Sequence, residues 1–257
     1  FPDTAEVLRA AHPRLVYIAM SGYGQDGPMR DVAGHDANYL AFNGLLSATG
    51  SAHAPAYIHP PLADCTASMF ALSAVLGALI ARGRDGQGCV IDLALVDVTM
   101  PFQLFSLASL GFAGHVPKAE QEFLNGGWAC YRPYRLRDDV VVALGAIEAH
   151  FWNAFCQASG RPEWIGRHDE VLPQRALIAD IEAHFSSLST ADFEARYGGI
   201  DCCLEQVRDL QAAVQSAHFT KRGLVRRHSS MPIYEAAFPV RVDGRNPAQR
   251  KPLEELL

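Results

Sequence analysis

The sequence predicts an α/β fold in which a large domain built on a parallel sheet is interrupted by a smaller α+β domain. Three observations predict it. Two apolar runs, residues 15 to 20 and 89 to 95, are each preceded by a helical pattern, and helices alternating with strands are the grammar of a parallel sheet. The pattern then loosens over residues 96 to 130, through Thr99-Met100-Pro101 and a Gly- and Pro-containing stretch from Gly111 to Lys118. After the turn signal Asn125-Gly126-Gly127 the chain restarts as a hairpin followed by helices. The expected boundaries are 1 to 95 and 238 to 257 for the two parts of the large domain, 131 to 213 for the small domain, and linkers at 96 to 130 and 214 to 237.

Each element has a local reason. Residues 4 to 11 form a short amphipathic helix with Leu8 inward, and the apolar strand over 15 to 20 ends at the turn residues Ser21-Gly22. Gly22-Tyr23-Gly24-Gln25-Asp26-Gly27-Pro28 is then a loop at the carboxyl end of that strand, the edge where open α/β sheets bind ligands. Its glycines do not follow the GxGxxG spacing of a phosphate cradle, and a plain turn is the simpler reading. Residues 36 to 46 read as a helix headed by His35, and 66 to 82 as a long Ala- and Leu-rich helix headed by Asp64 and stopped by Gly83. In the second half, strands are expected over 131 to 135 and 140 to 144, with helices over 150 to 159, 174 to 187, 190 to 197 and 209 to 217. A short apolar piece at 204 to 207, extended chain over 232 to 241 and a polar tail from 243 to 251 complete the pattern.

Composition narrows the function. A chain of 257 residues with 49% hydrophobic content can bury a large core, and its net charge of -6 gives no basic footprint for nucleic acid or anionic lipid. Small-molecule chemistry fits better. The six cysteines lack CxxC spacing, and the adjacent Cys202-Cys203 pair has no ligand at zinc-like spacing, so reduced thiols of a cytoplasmic protein and no metal are expected. The most apolar stretch, residues 67 to 81, falls short of the roughly 20 residues that span a bilayer, which predicts a buried helix and no membrane.

The chemistry concentrates in Gly34-His35-Asp36-Ala37-Asn38-Tyr39 and Leu62-Ala63-Asp64. An imidazole and a carboxylate each stand beside a structural break, where a loop aims a side chain into a cleft. Both groups can be tuned to move protons near neutral pH. On local grounds alone, a helix N-cap carboxylate is the favoured reading of Asp64.

Four ordered segments carry a resemblance. The run from Pro13-Arg14-Leu15-Val16 through Ser21-Gly22-Tyr23-Gly24 to Gly27-Pro28, the His35 segment, Leu62-Ala63-Asp64, and Val142-Ala143-Leu144-Gly145-Ala146-Ile147-Glu148-Ala149-His150-Phe151-Trp152 together resemble the alpha-methylacyl-CoA racemases of the family III CoA-transferase (CaiB/BaiF) group. The resemblance implies the CaiB/BaiF-type fold, with a large Rossmann-like parallel-sheet domain and a smaller α+β domain, in an interlocked homodimer. It also implies a 2-methylacyl-CoA substrate inverted at its alpha carbon through an enolate-like intermediate. Coenzyme A enters as part of the thioester, and no permanently bound cofactor is implied.

Carried over residue by residue, His35 and Asp64 are the two bases, on opposite faces of the alpha carbon, and Glu148 orients the His. Tyr131 lines the acyl pocket, Tyr39 belongs to the substrate and CoA contacts, and Asp36 caps its helix or contacts the coenzyme. Pro60-Pro61-Leu62 departs from the Asn-Leu of many racemases. Family members also carry earlier βα units that help hold the CoA nucleotide, which implies that this chain is a fragment or is completed by another. Two alternatives remain: a family III CoA-transferase in which Asp64 forms an acyl anhydride, and a noncatalytic fragment or partner subunit.

Overall fold

The computed structural model describes residues 2–51, 53–228 and 231–244. Helix α1 (Pro2–Ala11) leads into β1 (Tyr17–Ser21), which pairs in parallel with β2 (Val90–Ala94) from Tyr17 opposite Val90 to Ser21 opposite Ala94. Parallel neighbours need a crossover. It consists of α2 (Asp36–Phe42), a 3-10 turn (Leu45–Ala48) and the 24-residue α3 (Leu62–Asp85). Gly88 is required where β2 begins: its N–H donates to the Pro13 carbonyl at 2.8 Å, and a Cβ there would lie 1.9 Å from the Leu15 carbonyl oxygen.

Two helix ends differ from expectation for identifiable reasons. Helix α2 stops at Phe42 rather than near residue 46, because the Asn43 amide leaves the helix to donate to the Val96 carbonyl at 3.0 Å and to Thr99 Oγ1 at 2.5 Å, and Gly44 turns left-handed with φ 85°. Helix α3 starts four residues earlier than expected and runs through Gly83 to end at Gly86, whose φ is 75° and whose N–H donates to Arg82 O at 3.0 Å. A single Gly costs a helix only about 1 kcal/mol, which the surrounding Ala, Leu and Arg tolerate.

The expectation that this helix is buried is corrected. Only Ala63, Thr66 and Ala67 are buried, while Met69, Leu72, Leu76 and Ile80 are exposed. Its first turns pack on the sheet through Ala67, Leu93 and Val98. Length and composition alone would let this helix cross a membrane.

The stretch expected as a linker after residue 95 is not featureless. It holds a 3-10 turn (Met100–Gln103) and α4 (Leu104–Ala113). The sequence Leu-Phe-Ser-Leu-Ala-Ser-Leu-Gly-Phe-Ala holds only Ser106 and Ser109 as polar residues and no charge, so the helical period is faint in it.

The second half contains an antiparallel sheet in the order β3 (Tyr131–Arg135), β4 (Val141–Gly145), β5 (Leu204–Gln206). Helices α5 (Ala149–Ala158), α6 (Arg175–Ser186) and α7 (Thr190–Tyr197) pack on it around Val142, Trp152, Phe155, Leu177, Ile181 and Phe185, all buried. This core is separate from the two small clusters around Leu40 and Ala67 in the first half. The hairpin and all three helices stand within a residue or so of their expected positions.

The helix expected over 209 to 217 is two short ones, α8 (Leu210–Gln215) and α9 (Ala217–Arg222), split at Ser216, whose Oγ caps the second by accepting from Phe219 N–H at 3.3 Å. A further antiparallel pair, β6 (Val225–Arg227) and β7 (Tyr234–Ala236), stands where a return linker was expected. Most of the expected polar tail, and the large-domain segment past residue 244, lie outside the described residues.

Candidate active site

The local sequence around His35 fixes both its backbone and its tautomer. His35 is the extended N-cap of α2 (φ -130°, ψ 174°), and its N–H donates to Asn38 Oδ1 at 3.1 Å. Its Nδ1 lies 2.8 Å from the Gly34 carbonyl oxygen. A carbonyl only accepts, so Nδ1 carries a proton, and in the neutral imidazole Nε2 is then the basic nitrogen. The residue is exposed, and Nε2 makes no hydrogen bond among the described residues.

Tyr39 holds the same carbonyl from below. Its ring is 5% exposed and its hydroxyl donates to Gly34 O at 2.5 Å. The ring occupies space that only glycine leaves open: a Cβ at Gly22 would lie 2.6 Å from the hydroxyl oxygen, and one at Gly34 would lie 2.8 Å from the ring. Tyr23 packs edge-on against it at 5.3 Å. Burial, then the neighbouring Tyr23 and Asp64, raise its pKa, so the phenol stays a neutral donor. The Tyr39 hydroxyl, a residue expected among the substrate and CoA contacts, thus donates its proton to the His35 loop. The loop after β1 is anchored in turn by Gln25, whose N–H donates to Asp92 Oδ2 at 3.0 Å.

Asp36 ties this loop to the long helix. Its Oδ1 accepts from the N–H groups of Ala63 at 2.6 Å and Asp64 at 3.3 Å. Of the two roles expected for Asp36, capping is realised on α3 rather than on its own helix. Asp64 stands in the first turn of α3, exposed, and its carboxylate has no hydrogen-bond partner among the described residues. His35, Asp36, Tyr39 and Asp64 thus come together at the N-terminal ends of α2 and α3. Immediately beyond, Cys65, Met69, Phe70, Ser73 and Phe102 line an open cavity of about 340 Å³, which no motif in the sequence announced because the contact between α3 and the 3-10 turn is nonlocal.

Glu148 and Tyr131 lie elsewhere in the chain. Glu148 is the exposed N-cap residue of α5, makes no capping bond, and has no hydrogen bond or ion pair to His35 among the described residues. Its charge reaches Cys203, where it adds to the effect of burial and Asp201 in raising the thiol pKa. Tyr131 pairs with Gly145 in the register of β3 and β4, and Gly145 N–H donates to Cys203 O at 2.8 Å, so both residues sit at one end of the small sheet. Among the described residues, no group of three or more His, Cys, Asp or Glu side chains is placed to hold a metal ion.

Sequence comparison places this geometry. The chain is 31% identical over 233 residues to the alpha-methylacyl-CoA racemase of Homo sapiens, covering 85% of this chain and 58% of that protein. It is 29% identical over 194 residues to the acetyl-CoA:oxalate CoA-transferase of Acetobacter aceti, covering 72% of this chain and 49% of that one. In fold it is similar to a CaiB/BaiF family protein from Brucella suis, with TM-score 0.75 at 21% identity over 94% of this chain and 65% of the other. The chain therefore spans 58% of the racemase's length. The model of CoA-transferase family III matches residues 4–253, and with the α/β fold described above the chain belongs to that family.

Proposed function

We propose that this chain carries the proton-transfer centre of an enzyme that racemises 2-methylacyl-CoA thioesters. The observation that carries the reading is the contact of His35 Nδ1 with the Gly34 carbonyl: a ring whose Nδ1–H is held there offers Nε2 as its basic nitrogen, near an Asp64 carboxylate that has no hydrogen-bond partner among the described residues. In one direction His35 Nε2 takes the alpha proton, the C–H electron pair moves into the thioester as an enolate, and protonated Asp64 returns a proton to the opposite face. The reverse direction uses the Asp64 carboxylate as base and the His35 imidazolium as acid. A positioned acid or base of this kind supplies about 10²- to 10⁴-fold. The cavity beginning at Cys65 offers the acyl chain an apolar surface.

The resemblance to the racemases adds Glu148 as the residue that orients His35, sharing or taking over the Nδ1–H that the Gly34 carbonyl holds here. Its carboxylate at the head of α5, which makes no capping bond, suits a role completed by a second copy of the chain in an interlocked homodimer. CoA transfer is the second reading, supported by the transferases among the relatives and by the unbonded Asp64 carboxylate, which is open to attack on an acyl group.

The two readings separate in deuterated water. A racemase exchanges the alpha hydrogen of a 2-methylacyl-CoA and scrambles its stereocentre. A transferase moves CoA between acids without alpha exchange, and hydroxylamine traps an acyl group on Asp64. Transfer without exchange would overturn the racemase reading.

A further inference from the structure

Asp36 stands between the two residues to which the reaction is assigned, covalently next to His35 and hydrogen-bonded to the backbone of Asp64. We propose that Asp36 is a positioning residue: its carboxylate fixes the start of α3 against the start of α2 and so sets the spacing of His35 and Asp64, instead of binding the coenzyme. The inference rests on the roles proposed for those two bases.

Helix α3 cannot cap itself. Its N-cap residue is Pro61, whose side chain has no acceptor, while the first amides of any helix need partners from outside. Helical bonding at this end begins with Cys65 N–H on the Pro61 carbonyl at 3.1 Å, which leaves the amides before it open. Asp36 takes those of Ala63 and Asp64. Ala63 is 0% exposed, so with the chain intact its amide depends on Asp36 and not on water for an acceptor.

The acceptor comes from 27 residues upstream, so the bond sets a tertiary distance and not merely a helix end. The His35 side is equally constrained, by Asn38 Oδ1 on its N–H and by Gly34 O on its ring. Between the imidazole and the Asp64 backbone the path runs through groups that are each pinned by a hydrogen bond. Removing the Asp36 carboxylate releases α3 from that path.

The test compares Asp36→Ala and Asp36→Asn in the active enzyme. Asp36→Ala is expected to lower kcat for alpha exchange by on the order of 10²-fold, the effect of displacing reacting groups by about 1 Å, with KM for the acyl-CoA little changed. Asp36→Asn keeps an oxygen that accepts from Ala63 and is expected to recover most of that loss. Amide hydrogen exchange at Ala63 gives a readout independent of turnover: protection is lost in Asp36→Ala and retained in Asp36→Asn.

Should the Ala variant not fold, the Asn variant decides: raised KM with kcat intact means a coenzyme contact and overturns the proposal, and unchanged KM and kcat uphold it. Unaltered kcat in Asp36→Ala, while His35→Ala and Asp64→Ala abolish exchange, overturns the positioning role and leaves the racemase reading standing. If the unmodified enzyme transfers CoA without alpha exchange, the racemase reading fails instead. Loss of both transfer and Ala63 protection in Asp36→Ala then still supports the placement of Asp64, and intact protection overturns it.

Discussion

The ring of Tyr39 fills the space that a side chain on Gly22 would need, with its hydroxyl oxygen 2.6 Å from where a Cβ at Gly22 would stand. That oxygen also donates to the Gly34 carbonyl that holds His35. Packing at the end of β1 and orientation of the candidate base are therefore one arrangement.

Gly22→Ala is expected to destabilise the protein by about 1–3 kcal/mol, the usual cost of overpacking. For a chain of this size each kcal/mol lowers Tm by roughly 2–4 °C. Adding Tyr39→Phe removes the nearest clashing atom, so the double variant should melt higher than the sum of the single losses allows. Strict additivity in thermal unfolding of the three variants would contradict the clash.

His35→Ala should reduce alpha exchange by about 10²- to 10⁴-fold. Asp64→Ala should abolish exchange and transfer alike, because both chemistries need its carboxylate. Deuterium incorporation measured by mass spectrometry on the recovered thioester checks both.

Stability should fall on the acid side of neutrality through His184. This side chain is 9% exposed and its Nε2 is 2.8 Å from Tyr197 Oη, which is in turn 2.7 Å from Ser159 Oγ. Burial, then the positive charges of Arg196 and Arg161, push its pKa down from 6.5 to about 4. The folded state therefore binds this proton less readily than the unfolded chain. The contribution is fully present above pH 6.5 and is lost as pH falls toward 4, amounting to at most about 3 kcal/mol. Tm measured between pH 7.5 and about 4.5 should decline more steeply in the unmodified protein than in His184→Asn, and equal slopes would refute the assignment.

The cysteines should divide by burial. Burial pushes the thiols of Cys130 and Cys156 up to about 12 and that of Cys202 up to about 11, and all three are inaccessible. Cys65 and Cys203 are exposed. Alkylation near pH 8 followed by peptide mapping should label Cys65 and Cys203 well before the buried three. Because Cys65 follows Asp64 and lines the cavity beside it, a bound acyl-CoA should slow labelling at Cys65 and not at Cys203. Equal protection at both would place the acyl group elsewhere.

Much of this was legible in the sequence, for reasons that differ by region. The apolar runs of β1 and β2 and the Asn-Gly-Gly turn are local signals, and local signals fix element type. The resemblance carried by the segments around His35, Asp64 and Glu148 agrees with the family that the comparisons establish. Helix α4 escaped because an almost uniformly apolar helix has only a faint period to read, and α2 ran short because Asn43 found partners more than 50 residues away at Val96 and Thr99.

By itself the sequence determined which residue types stand at the breaks before α2 and α3, and hence that an imidazole and a carboxylate were candidates for moving a proton. Only the tertiary structure decided how they are held: Asp36 caps the other helix, Tyr39 donates its hydroxyl proton to Gly34 O, and Glu148 stands at the head of α5 with no bond to His35 among the described residues. The physical reason is that periodicity and capping motifs act within a turn or two of chain. A carboxylate oxygen satisfying an amide 27 residues away depends on how two helices and a sheet pack, which no local pattern specifies.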